Sequence, residues 1–289
     1  MPSHLLVFFC VSLTQMLGTI TLWFGWYGFN GGSALITNSK NQGQLIAVAA
    51  INTTLAGGMA GICALLVNFW ALERRTGEHI FDLKMTMNGC LGGLVAITAG
   101  AGVLEAWAAV LTGAVGALLY LLGTHLLVVL RLDDAVDAIP VHMLNGMWGM
   151  ISVGLFASDR HLALTFGREV EHAGWFYSFR KGSADAHLLA ANIVGIIWVF
   201  SWVLFVMMPF FIWLDWKGWF RSDPLEEIVG LDTSYHGGLI LAGGEDTVNP
   251  EYITEFRKQR SEMRNRRASR SGQFAIEEEN NFGDGDAGD

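Results

Sequence analysis

Residues 187–214, HLLAANIVGIIWVFSWVLFVMMPFFIWL, decide the fold class: the run holds no Asp, Glu, Lys or Arg and is longer than a bilayer requires. Crossing ~30 Å of hydrocarbon takes about 20 helical residues, and the lack of water there leaves only helices or closed barrels able to satisfy the backbone. Outward from this run, apolar segments of comparable length recur at about 5–29, 45–71, 86–104, 106–130 and 140–158. Six membrane helices are therefore predicted, in an all-α integral membrane protein. The third and fifth are short, glycine-rich and broken by polar residues, which suits burial among helices better than contact with lipid. The N-terminal LLVFFCVSL has no basic leader and continues into LGTITLWFGWYGF, so it reads as a spanning helix rather than a signal peptide.

Composition agrees. Of 289 residues 52% are hydrophobic and only 16% charged, with 35 Gly and a mean hydropathy of +0.38, so a soluble chain would expose large apolar patches. The formal net charge of −9 names no partner, because much of it sits in the last stretch, EEENNFGDGDAGD. Cys10, Cys63 and Cys90 fall in apolar segments without paired spacing, which predicts neither a disulfide framework nor a zinc site. There is no phosphate-cradling glycine loop, no Ser/His/Asp set and no metal-ligand spacing. An enzyme, a cofactor, a bound metal and a nucleic-acid partner are accordingly not expected. Basic residues in ALERRTGEHIFDLK, at Arg131 and in WKGWFRS fall on one side of a six-helix topology, which predicts cytoplasmic termini. The membrane region is placed at 1–216. A cytoplasmic regulatory tail follows at 217–289, largely disordered after about 240.

Ionisable groups inside membrane helices are costly and tend to mark a permeation route or proton relay. His142, in DDAVDAIPVHMLNGMWGM, is the outstanding one. Asp137 is expected to cap this helix and Pro140 to occupy its first turn, where no intrahelical N–H is lost. A neutral imidazole offers one donor and one acceptor, so it can relay a proton without a permanent buried charge. A packing histidine bonded to a neighbouring helix remains an equal alternative on the residues alone. In LWFGWYGFNGGS, the aromatic faces of Trp23, Phe24, Trp26, Tyr27 and Phe29 attract cations and Ser33 offers a hydroxyl. Composition by itself favours the other reading, an interfacial aromatic belt. Small residues at intervals of about four in LAGGMAGICA, NGCLGGLVAITAGAG and LTGAVGALL predict a tight bundle, with Asn88 and Asn145 as interhelical hydrogen-bond donors. Asp133 and Asp134 are read as surface partners of Arg131.

Several of these segments together resemble the ammonium transporter, methylammonium permease and Rhesus glycoprotein family. They are LWFGWYGFNGGS, NGCLGGLVAITAG with VLEAWAAVLTGAVGALLY, DDAVDAIPVH and EEIVGLDTSYHGG, in the family's order. The resemblance implies an ammonium or ammonia substrate and an eleven-helix protomer in which this chain supplies helices six to eleven. It also implies a homotrimer in the plasma membrane with one pore per subunit. Carried over, Phe29 is similar to one of two stacked gating phenyl groups, Ser33 to the recruitment-site hydroxyl and His142 to the second of two pore histidines. Asp137 is similar to the acid near the cytoplasmic exit, and Trp26 and Leu22 to the pore wall. The family's first pore histidine, second gating phenylalanine and recruitment-site tryptophan lie in helices one to five, which have no counterpart here. A fragment or truncated paralogue is therefore expected, either conducting or acting as a non-conducting, ammonium-sensing subunit that assembles with full-length paralogues. Ser234, with Thr233 before it, aligns with the family's regulatory phosphorylation position, and Ser269 lies in an Arg-Arg-x-Ser sequence.

Overall fold

The computed structural model describes residues 3–35, 41–77, 79, 81–167, 169–222 and 258. Among the described residues the ordered elements include eight α-helices: α1 Ser3–Leu35, α2 Gln42–Thr76, α3 Leu83–Thr98, α4 Ala106–Leu130, α5 Asn145–Phe156, α6 Asp159–Phe166, α7 Trp175–Arg180 and α8 His187–Trp216. A π-helical turn, Ile139–Leu144, runs directly into α5. Among the described residues the sole β-type pairing is an isolated bridge between Leu104 and Ala157. Each of the six predicted apolar runs overlaps a helix. Four segments, Gln42–Arg74, Ala106–Leu130, Ile139–Phe156 and His187–Trp216, are long and apolar enough to cross a membrane by length and composition.

The third run differs from expectation. Its helix starts earlier because the Asp82 carboxylate accepts from Met85 N at 3.1 Å. It ends at Thr98 instead of 104, because Gly100 N turns back to Ile97 O and Leu104 N bonds Gly100 O. Asn52 pins that turn from α2, its Nδ2 donating to Ala101 O at 2.9 Å and Leu104 O at 2.8 Å. The 157–186 connection also holds two short helices the apolar pattern could not reveal. Ser158 caps α6 by accepting from His161 N at 3.1 Å, and Gly167, at φ 66°, ends it in the left-handed region where glycine is unstrained.

Packing follows the small-residue stripes. Ala56, Ala60 and Ala64 line one face of α2, all fully buried, and meet Gly89 and Gly93 of α3 and Gly113 of α4. A Cβ built at Gly113 would sit 2.2 Å from the Ala56 carbonyl oxygen, and one at Gly93 2.3 Å from the Ala60 Cβ. Backbones approach this closely only where side chains are absent, which is how helices associate in lipid without a hydrophobic drive. Gly149 brings α5 against the Ala96 carbonyl of α3 in the same way, and Trp148 Nε1 donates to Thr112 O of α4 at 3.0 Å.

The chain divides into two compact units, Phe8–Met208 and Met1–Val7 with Pro209–Asp289. The described candidate site residues all belong to the first. None of the side chains of α8 is buried, so its apolar surface is left for lipid or for other chains.

Candidate functional site

Leu22, Trp26, Phe29 and Ser33 are spaced i, i+4, i+7 and i+11 along α1. At about 100° per residue they fall within about 60° of one another and form one stripe. Leu22 is 50% and Phe29 61% exposed, Ser33 is exposed, and Trp26 is half-buried. The adjoining face of α1 is the packed one. Trp23 lies against Gly57, and Asn30 Nδ2 donates to Thr53 Oγ1 at 2.9 Å. The Trp26 indole is fixed by a 2.9 Å bond from Nε1 to Thr98 Oγ1 of α3, and its ring centroid is 6.4 Å from that of Phe29. Ser33 Oγ donates to Phe29 O at 2.9 Å, a back-bond that uses its hydrogen and leaves oxygen lone pairs available as acceptors.

The segment carrying His142 is built differently from expectation. The cap is Asp134, whose carboxylate oxygens accept from Ala138 N and Ile139 N, each at 2.8 Å. Asp137 instead adopts φ 57° and turns its buried side chain, 7% exposed, inward. There it accepts from Asn88 Nδ2 at 2.9 Å and Tyr120 OH at 3.2 Å, with Lys84 Nζ at 3.5 Å. A non-glycine residue at this φ costs about 1 kcal/mol or more, which the charge-assisted bonds offset. Asp137 thus ties the start of the His142 segment to α3 and α4. Through Gln15 Nε2, which reaches Asn88 Oδ1 at 3.4 Å, the same network extends to α1.

After Asp137 the helix is under-wound. Pro140 cannot donate, and Asn145 Nδ2 satisfies the Pro140 carbonyl at 2.9 Å. Asn145 is therefore a local brace wedged between Gly92 and Gly116, not the interhelical donor expected, whereas Asn88 is such a donor. His142 sits exposed on this π-helical turn; its backbone carbonyl accepts from Asn145 N, and its imidazole has no hydrogen-bond partner among the described residues. Such turns recur at functional sites.

The structure joins Trp26 with Phe29 and puts Leu22 and Ser33 on their stripe, while Asp137 is buried away as a structural hub. Ser234, Thr233 and Ser269 lie outside the described residues. Sequence reasoning missed Lys84 and Tyr120 as partners of Asp137 and Thr98 as the anchor of Trp26, since nothing local marks contacts across 17 to 72 residues. It also missed His172, Asp185 and His187, whose ligand atoms converge where the connection after α5 enters α8. Elsewhere in that connection, the hydrogen bond from Lys181 holds the Asp159 carboxyl below its ordinary range. Burial depresses His161 and pushes Tyr177 up to about 12.

Residues 11–239 match the model of the Ammonium Transporter Family. A putative ammonium transporter of Synechocystis sp. is 38% identical over 224 residues, covering 78% of this chain and 44% of the relative. Among solved structures, Mep2 of Candida albicans superposes with a TM-score of 0.61 at 30% identity, over 73% of this chain and 43% of that one. A sensor Amt protein does so with a TM-score of 0.60 at 31% identity, over 76% and 48%. The chain spans less than half the length of each of these proteins. On the family match and the helical bundle together, this chain belongs to the Ammonium Transporter Family and is an all-α integral membrane protein.

Proposed function

We propose that the chain contributes to a membrane pathway for ammonium or ammonia, with His142 as its proton-handling residue. The observation that carries this reading is an exposed imidazole on a π-helical turn within the apolar segment Ile139–Phe156. A bare cation entering a low-dielectric passage costs far more than neutral ammonia, so deprotonation at the mouth lowers the barrier. Trp26 and Phe29 supply aromatic faces for the cation and Ser33 an acceptor oxygen for its N–H groups. Phe29 then acts as the gate and Leu22 as part of the wall. Asp137 serves by positioning, since its carboxylate is already committed to Asn88, Tyr120 and Lys84. Cytoplasmic termini, a plasma-membrane location, homotrimeric assembly and regulation through Ser234, Thr233 or Ser269 belong to the same proposal.

The test is growth on low ammonium of yeast lacking ammonium uptake, with the chain expressed alone and beside a full-length family member. Growth supported by the wild-type chain and lost with His142→Ala is the expected result. Growth that survives His142→Ala removes that histidine from the mechanism. A second reading, a non-conducting sensing or regulatory subunit, is favoured by the similarity to a sensor Amt protein. It predicts no growth from this chain alone and altered uptake when the full-length member is present.

A further inference from the structure

The connection between α5 and α8 gathers His172, Asp185 and His187 so that one ligand atom from each lies within 4.8 Å of the others. His172 Nδ1 is 2.6 Å from Asp185 Oδ2, His187 Nδ1 is 2.5 Å from Asp185 Oδ1, and the two imidazole centroids are 4.7 Å apart. Asp185 is held in place from behind. His187 N donates to its Oδ1 at 2.9 Å, and Ser183, two residues earlier, is anchored by Oγ and N to Ser178 O at 3.0 and 3.1 Å. The carboxylate is mostly covered, with 18% of its side chain exposed, while the rings of His172 and His187 are 41% and 77% exposed and open to solution. Lys181, a cation in the same connection, is engaged by Asp159.

We propose that His172, Asp185 and His187 bind a divalent transition-metal cation of the Zn2+ or Cu2+ class. Two imidazole nitrogens and one carboxylate oxygen are a borderline-soft set that selects these ions over Mg2+ or Ca2+, which require oxygen cages. Tetrahedral bonds of about 2.0–2.1 Å put ligand atoms about 3.3 Å apart. The two nitrogens must therefore withdraw from Asp185 by somewhat under 1 Å, within the rotational freedom of two exposed rings. The ion takes the place of the hydrogens now shared with Asp185, each ring binds neutral, and water completes the shell. A bound ion staples residue 172 to the first turn of α8. On the orientation proposed above this connection lies on the non-cytoplasmic side, but the ion site itself does not depend on transport.

The test is Zn2+ titration calorimetry on the chelator-stripped full chain in detergent, without a histidine tag, alongside electron paramagnetic resonance of the Cu2+-loaded chain. One ion per chain is expected, with nitrogen hyperfine coupling. His172→Ala and His187→Ala should each weaken binding at least about tenfold, since even outer-shell partners of metal ligands are worth that much. The double variant should not bind, and His79→Ala should bind as wild type. Circular dichroism confirms that each variant is helical, and the unsubstituted Cu2+ spectrum stands independently of any variant's folding. No binding, unchanged affinity in the double variant, or copper without nitrogen ligation would overturn the proposal and reduce the cluster to a helix cap.

Discussion

Replacing Asp137 by alanine removes the acceptor shared by Asn88 and Tyr120 and strips Lys84 of its counter-charge. Each hydrogen bond to a charged, buried acceptor is worth about 1.5–3 kcal/mol, and the Asn88 amide loses this acceptor at a desolvation cost, whereas Tyr120 OH retains Met85 Sδ at 3.2 Å. The Lys84 contribution is discounted, because that side chain is 51% exposed and the separation is 3.5 Å. Alanine would also keep the left-handed φ of 57° without the local bonding that lets Asp and Asn tolerate it. The expected loss for Asp137→Ala is about 3–5 kcal/mol. Asp137→Asn keeps an amide oxygen facing Asn88 and Tyr120 and accepts the same φ. Neutral bonds being about half as strong, its loss is about 1–2 kcal/mol. Thermal unfolding of the detergent-solubilised chain gives the order, and ammonium uptake separates stability from chemistry. If Asn preserves most of the stability and activity, Asp137 positions the His142 segment. If Asn is as damaging to uptake as Ala while remaining folded, the negative charge itself takes part and the positioning reading fails. If neither variant shifts unfolding, the network contributes nothing and the account of this turn is wrong.

Gly113→Ala should destabilise by about 1–3 kcal/mol, because its Cβ would meet the Ala56 backbone, whereas Gly28→Ala, with nothing within 4 Å, should be neutral or stabilising; paired melting curves decide it. His142→Ala should change unfolding by less than about 0.5 kcal/mol, as an exposed site does, and any effect should appear in uptake alone. Burial lowers the pKa of His161, opposed by the charge of Glu105 and assisted by that of Arg160. Its stabilising contribution is therefore present above the unfolded value of about 6.5 and is lost as pH falls below it toward the folded value. The fall in melting temperature between pH 7.5 and 5.5 should be smaller in His161→Gln than in wild type, and an unchanged fall would contradict the burial reading.

The helical membrane class was legible because the apolar runs exceed what water tolerates, and four of the six predicted spans keep membrane length among the described residues, while the third shortens to 16 residues. The Ala56, Ala60 and Ala64 stripe was legible as spacing, and the glycines it meets follow from the need for close backbones. The stripe of Leu22, Trp26, Phe29 and Ser33 could likewise be read from the helical period. What failed was the choice between two carboxylates three residues apart. Either Asp134 or Asp137 fits a local capping rule, and the decision was made by Asn88 and Tyr120, 49 and 17 residues from Asp137. The convergence of His172 with Asp185 was invisible for the same reason, since turns at Gly182 and Ala184, both with positive φ, fold thirteen residues back on themselves. The short α6 and α7 carry no long apolar period, and their capping signals are too common to stand out.

The π-helical turn sets a phase. Asn145, Gly149 and Ser152 are all buried and mark the packed side of α5. In regular α-winding, three residues back from Asn145 is about 300°, which would bring His142 within about 60° of that side. Closure at i→i+5 rotates less per residue, so it swings the imidazole further out and returns Pro140 to the buried side. A one-residue deletion within Ile139–Leu144 would erase this offset and turn the ring toward α3 and α4. The accessibility of His142 is in that sense a property of how many residues share the turn, encoded by chain length rather than by residue type.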